Sequence, residues 1–226
     1  NPMNLEDIVS YWQGQRRTTR GWWAHPDDEN ILETTAHSFN LDFPVSPYVG
    51  DILRAEVLIL GANAGYHPAV TPSEFLDDKA VQAYLRRVAN PSSADWSSVS
   101  SYYSAVNCGP LVAGGQAVLI NACAYRSPRI SEESDNRKLI RRLPSAVFAR
   151  RWLLEGVLPL VRNGQRIVVV KRPGLWELPA DFRAMAGVTF DPVPISPQLT
   201  AGPWAAVQAH LHAQQAAAGL ARNART

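Results

Sequence analysis

Four short apolar runs set the terms on which this chain can fold: Ala55–Leu60 (AEVLIL), Gln116–Asn121 (QAVLIN), Arg166–Val170 (RIVVV) and Val188–Val193 (VTFDPV). Each has the length of a strand. The first three are continuous where a half-exposed strand would alternate, which is the pattern of strands covered on both faces. Helical periodicity fills the intervals. Glu74–Val88 carries Phe75, Leu76, Val81, Tyr84, Leu85 and Val88 on one stripe, opened by Thr71-Pro72-Ser73. Pro144–Leu160 reads as a second helix, Trp176–Met185 as a short third and Trp204–Leu220 as the last. Strands alternating with helices predict an α/β fold, a three-layer α/β/α sandwich with a central, mainly parallel four-stranded sheet.

Residues 1–50 have another character. A helix over Leu5–Trp12 leads into an Arg- and Trp-rich stretch and then a Pro-containing segment, FPVSPYVGD. No flexible linker follows, so residues 1–50 are expected as an N-terminal extension packed on a domain spanning 51–226. The Ser-rich stretch Pro91–Ser104 reads as a loop. At 226 residues, with 46% hydrophobic and 19% charged, the chain suits one substantial domain and has ample apolar surface to order it. No apolar run approaches the roughly 18–20 residues that cross a bilayer, and no signal-peptide succession opens the chain. Only Cys108 and Cys123 occur, too few for a disulfide framework or a four-cysteine metal site. A cytoplasmic protein is the expectation.

The charge is unevenly placed. Residues 1–113 hold 7 Lys and Arg against 13 Asp and Glu, whereas residues 114–226 hold 15 against 7. Only three of the 22 basic residues are lysine. Arginine presents a planar fork suited to phosphates, so a basic face and a polyanionic partner are permitted without being required. Arg137, Lys138, Arg141 and Arg142 cluster most tightly, and a solvated helix start is the reading that competes with phosphate contact and is preferred for them.

Ala24–Glu29 spells AHPDDE. That string resembles the zinc signature of the LmbE/PIG-L-type N-acetylglucosamine deacetylases, where a histidine and an aspartate hold the metal and a second aspartate activates water. Its context differs: no buried strand precedes it, and the glycine-rich sequel and later histidine motif are absent. The competing reading is a helix start, with Asp27 or Asp28 as the N-cap of a helix running through Leu32.

A second motif is better placed. The first strand runs into Gly61-Ala62-Asn63-Ala64-Gly65-Tyr66-His67, and the second into NACAYRSPR, residues 121–129. The third leads into KRPGLW, residues 171–176, and the fourth into VPISPQLT, residues 193–200. In order and strand context these resemble the motifs of the uracil-DNA glycosylase superfamily over about residues 50–205. The resemblance implies an N-glycosidic hydrolase acting on a flipped damaged or deaminated base in DNA, with neither metal nor organic cofactor. It makes Asn63 the catalytic residue that orients water, and Asn121 the reader of the base edge. Gly61, Ala62, Gly65 and Tyr66 would form the base-binding turn. Arg126 and Arg129 would meet phosphates, and Ser196 and Leu199 would enter the DNA. The last motif lacks the histidine that stabilises the departing base in many members; Arg126, Arg129, Lys171 and Arg172 are the basic residues available instead. A catalytically weak member that binds nucleic acid or protein is the alternative. Trp22, Trp23 and Trp96 are candidate stacking residues, with core packing the competing role for Trp22 and Trp23.

Overall fold

The computed structural model describes residues 2–98, 106–193 and 198–223. Helix α1 (Glu6–Trp12) buries Ile8, Val9 and Trp12; a two-stranded ribbon, β1 (Arg16–Arg17) with β2 (Trp23–Ala24), then leads to α2 (Pro26–Thr34). Strands β3 (Tyr48–Val49) and β4 (Val57–Gly65) follow, then short α3 (Thr71–Glu74), α4 (Asp78–Ala89) and α5 (Gly109–Ala113). Strand β5 (Ala117–Ser127) precedes α6 (Ser134–Ile140) and α7 (Pro144–Trp152). A π-helical turn, Leu153–Val157, joins α7 to α8 (Leu158–Arg162). Strand β6 (Ile167–Val170), α9 (Pro173–Trp176), β7 (Val188–Phe190) and α10 (Ala201–Asn223) complete the order.

The architecture is mixed α/β around a central five-stranded sheet ordered β3-β5-β4-β6-β7. Strands β5, β4, β6 and β7 are parallel; only β3 runs against its neighbour. Val57–Leu60, Ala117–Ile120 and Ile167–Val170 are each buried at every position, so both faces of the sheet are covered there. This is the physical content of the continuous apolar runs.

The structure corrects the sequence expectation in four ways. The sheet has five strands, because Tyr48–Val49 pairs with Leu119–Ile120 along the outer edge of β5. Its central strands are longer than their apolar cores, since β4 continues through Gly65 and β5 through Ser127. The helix expected over Glu74–Val88 is split, because Asp77 caps a fresh start by accepting the Ala80 N–H at 2.8 Å. Trp176–Met185 is likewise not one helix: α9 ends at Trp176, and Ala180–Ala184 forms a separate 3₁₀ turn.

Chain order makes β4 the pivot of the sheet. The chain passes from β4 outward to β5, then crosses to β6 on the other side of β4. Parallel sheets bind ligands beyond their carboxyl ends at such a reversal. The segments that matter are therefore the ends of β4 and β5 and the turn after β6. The first fifty residues contribute to the same core through Ile8, Trp12, Leu32 and Phe39.

Candidate functional site

Gly61 and Asn63 alternate with Ala62 along β4, and β5 sets Asn121 opposite Gly61 and Cys123 opposite Asn63. The two-residue period of a strand thus puts Asn63 and Asn121 on one face, one rung apart on neighbouring strands. Here burial relaxes, and Gly61, Ala62, Asn63 and Asn121 are all half-exposed. The structure brings together the two residues expected to hold water and base.

Both carboxamides are anchored by nitrogen. Asn63 Nδ2 donates to the Ser127 hydroxyl at 2.8 Å and lies 3.0 and 3.2 Å from the carbonyls of Ala64 and Tyr125. Three acceptors fix which end of the amide is which. Oδ1 receives no hydrogen bond among the described residues. Asn121 Nδ2 donates to the Ser46 carbonyl at 2.8 Å, and its Oδ1 lies over Gly61, where a Cβ would stand 3.5 Å away. An amide with its nitrogen tied down and its oxygen free is an acceptor of fixed direction, able to orient a water or meet a donor on a heterocycle.

Other expectations change. Gly61 and Gly65 do not form a turn; both lie inside β4, and neither takes a left-handed conformation. Gly61 instead supplies room beside Asn121. Ala62 faces the opposite side of the strand from Asn63 and packs on the core, away from the site. Tyr66 leaves the sheet with its N–H on the Ser127 carbonyl, and its ring lies 6.3 Å from Phe43. Phe43 also stacks with Phe75 at 5.7 Å, and Phe75 meets Tyr84 edge-on at 5.2 Å. Phe75 therefore belongs to an aromatic cluster beside the end of β4, not to the stripe of α4.

Arg126 is not a surface arginine. Only 7% exposed, it donates from Nε to the Pro44 carbonyl at 3.1 Å and from Nη1 to the Gly65 carbonyl at 3.2 Å, with Phe75 beneath its guanidinium. It fastens the chain ahead of β3 to the end of β4, with Nε and Nη1 both committed to backbone carbonyls. Arg129 is exposed, in an ion pair with Glu132 at 3.3 Å. Leu199 cannot wedge into a base stack as it stands, because it is buried at 3% exposure among core residues. Ser196 lies outside the described residues. Trp23 and Trp96 are buried, Trp96 donating to the Pro91 carbonyl, while Trp22 is half-buried under Arg20.

Of the basic candidates after β6, Lys171 is buried. It donates to the Gln198 carbonyl at 2.7 Å and pairs with Asp191 at 3.1 Å. Arg172 has no carboxylate partner among the described residues. Trp176 ties this turn to the first motif, its Nε1 donating to the Gly61 carbonyl at 2.8 Å.

AHPDDE proves to be architecture. His25, not an aspartate, is the N-cap of α2, its Nδ1 accepting the Asp27 N–H at 3.2 Å. Nε2 faces the Tyr11 carbonyl at 3.0 Å and so carries the ring proton. Burial holds this imidazole below the ordinary histidine range, against the pull of Asp27 and Asp28, which keeps it neutral. Asp28 is fully buried and accepts from the Tyr125 hydroxyl at 2.7 Å and the Ser145 N–H at 3.0 Å. Both ring nitrogens are engaged here, Nδ1 by the Asp27 N–H and Nε2 by the Tyr11 carbonyl. Among the described residues no three His, Cys, Asp or Glu side chains converge as a metal site needs.

Phe43, Ser46 and Ser127 are the site residues that sequence reasoning passed over in these roles. Ser46 acts through its carbonyl, which no side-chain pattern announces. Phe43 sits among prolines that read as a connecting segment. The chain matches no protein-family model, no curated protein and no solved structure.

Proposed function

We propose that the chain is a three-layer α/β/α sandwich of the uracil-DNA glycosylase kind, and that it hydrolyses the N-glycosidic bond of a flipped damaged or deaminated base in DNA. The observation that carries this reading is the anchored pair: Asn63 and Asn121 share one face at the sheet's pivot, each with its nitrogen tied down and an Oδ1 that receives no hydrogen bond among the described residues. In this reaction positive charge develops on the sugar before water attacks, so the catalyst can orient water by accepting its hydrogen bond without removing a proton at the outset. Asn63 Oδ1 is that acceptor. Asn121 offers Oδ1 and its remaining N–H to the edge of the extruded base, with Gly61 leaving space for the ring. The aromatic group at Phe43, Tyr66 and Phe75 supplies flat apolar surface beside it.

A second reading, a nucleic-acid-binding protein without hydrolysis, is favoured by one observation. Lys171 and Arg126, two of the basic groups available to steady the departing base, are already engaged, by Asp191 and by backbone carbonyls. A donor of that kind is worth about 3 kcal/mol, roughly a hundredfold in rate.

The experiment is strand cleavage after alkali treatment of labelled oligonucleotides carrying uracil, hypoxanthine, xanthine or a mismatch, in single-stranded and duplex form. Wild-type cleavage abolished by Asn63→Ala, with DNA binding retained, supports hydrolysis. Binding without cleavage of any substrate selects the second reading.

A further inference from the structure

A cleft of about 450 Å³ opens between α6 and the turn after β6. Its walls come from the segments that follow β5 and β6, the two strands flanking β4. Five cations line it: Arg137, Lys138 and Arg141 on one side, Lys171 and Arg172 on the other. They are not equivalent. Lys171 is neutralised by Asp191, Lys138 has Asp135 at 3.5 Å, and Arg141 has Glu177 at 3.7 Å. Arg137 and Arg172 have no carboxylate partner among the described residues. Arg137 donates only to the Ile130 and Ser131 carbonyls, and Arg172 has no side-chain partner among the described residues. The remaining residues of the chain contain no Asp or Glu, so no acidic side chain elsewhere could neutralise them.

Two uncompensated guanidiniums facing one opening repel each other. Burial, and then the neighbouring Arg137, hold Arg172 below the ordinary arginine range. A bridging anion removes that repulsion and gains charge-assisted hydrogen bonds from both forks. Ile130, Pro173 and Leu175 add an apolar wall, which a bare inorganic ion would not use. The volume falls in the range of small-molecule sites.

We propose that this cleft is a phosphate site for a nucleotide unit, with the phosphate bridging Arg137 and Arg172 and the sugar or base against the apolar wall. The proposal deepens the functional reading above and rests on it only for choosing a nucleotide over other phosphates.

The test is direct binding of three probes, inorganic phosphate, deoxythymidine 5′-monophosphate and a short single-stranded oligothymidylate, to wild type, Arg172→Gln, Arg137→Gln and the exposed control Arg162→Gln. Each cleft variant should weaken binding about tenfold or more, and the control should not. Arg172→Gln should also flatten the dependence of log K on log salt for the oligomer by about 0.7. Because Arg172 makes no side-chain hydrogen bond among the described residues, this variant should melt no lower than wild type, separating lost binding from lost folding. Binding of the monophosphate points to free nucleotides, and binding of the oligomer alone to a polymer backbone; both support the site. No binding of any probe, or binding unchanged in both cleft variants, overturns it. Wild-type protein that binds these probes through Arg137 and Arg172 yet cleaves no oligonucleotide would refute the hydrolytic reading and leave the cleft standing.

Discussion

The contact between Lys171 and Asp191 holds the turn after β6 to the segment after β7, and its energetics can be worked through. Both side chains are essentially excluded from solvent, at 5% and 0% exposure, and 3.1 Å apart. Asp191 also accepts the Val193 N–H at 2.9 Å, the Thr200 N–H at 3.0 Å and the Thr200 hydroxyl at 3.2 Å. Among the described residues Lys171 has only the Gln198 carbonyl besides. Removing one member of a buried pair costs about 3–5 kcal/mol, because the survivor keeps its charge without compensation. The two survivors here are unequal. In Lys171→Met the carboxylate retains three donors, which places the cost near the lower end, about 3 kcal/mol. In Asp191→Asn the ammonium retains one carbonyl, and the new amide NH₂ meets groups that were donors, so the cost lies near about 5 kcal/mol. With an m-value of about 2.5 kcal/mol/M, the urea midpoint should fall by about 1.2 M for Lys171→Met and about 2 M for Asp191→Asn. Acid adds a second readout. Burial alone would raise the Asp191 carboxyl, but the hydrogen bonds from Thr200, Val193 and Lys171 bring it below the ordinary carboxylate range. Its contribution is therefore present above that range and lost as pH falls through the depressed value, so Asp191→Asn should flatten the acid side of the stability profile. Equal costs, the reverse order, or losses under about 1 kcal/mol in both variants would refute the reasoning.

Gly61→Ala tests the site without disturbing the fold. The new Cβ meets Asn121 Oδ1 at ordinary contact distance, so the melting temperature should hold while cleavage and base recognition fall; an active variant would count against base reading at Asn121. Asp28 should act on pH dependence in the opposite sense to Asp191. Burial outweighs its hydrogen bonds from Ser145 and Tyr125 and raises its carboxyl above 3.8, so its contribution is complete below that pH and lost as pH rises through the folded value. Urea titrations of Asp28→Asn at stepped pH should show stability rising more steeply with pH than in wild type, and an unchanged slope would contradict the burial argument.

The fold was legible where burial alone decides it. Val57–Leu60 and Ile167–Val170 are apolar at every position because helices and loops cover both faces, and their spacing forces crossovers. The strand ends were not legible. Gly61-Ala62-Asn63-Ala64-Gly65 has the composition of a turn, yet pairing with β5 keeps it extended, and ladder hydrogen bonds leave no mark on side-chain type. The same cause misplaced Arg126, which looks like a loop residue in sequence and lies buried in β5. Asn63 and Asn121 were legible as candidates through motif order. Their anchoring was not, because it depends on Ser127 and on the carbonyls of Ala64, Tyr125 and Ser46. AHPDDE shows the converse: letters that match a metal signature here form a helix start, with His25 as its N-cap.

The path of the chain through residues 40–49 has a consequence for assembly. This segment follows the outer side of β5 from Arg126, bridged by Asn40, past Ala124, bonded by the Ser46 N–H, to Leu119, paired with Val49. Only two of its residues are strand, and Pro44 and Pro47 lie within it, so it seals an eleven-residue edge without offering a regular edge of its own. A chain begun at residue 51 would leave that edge open. Its unpaired N–H and C=O groups would be a template for sheet-to-sheet growth, and the truncated protein should self-associate through β5 even where its remaining core still folds.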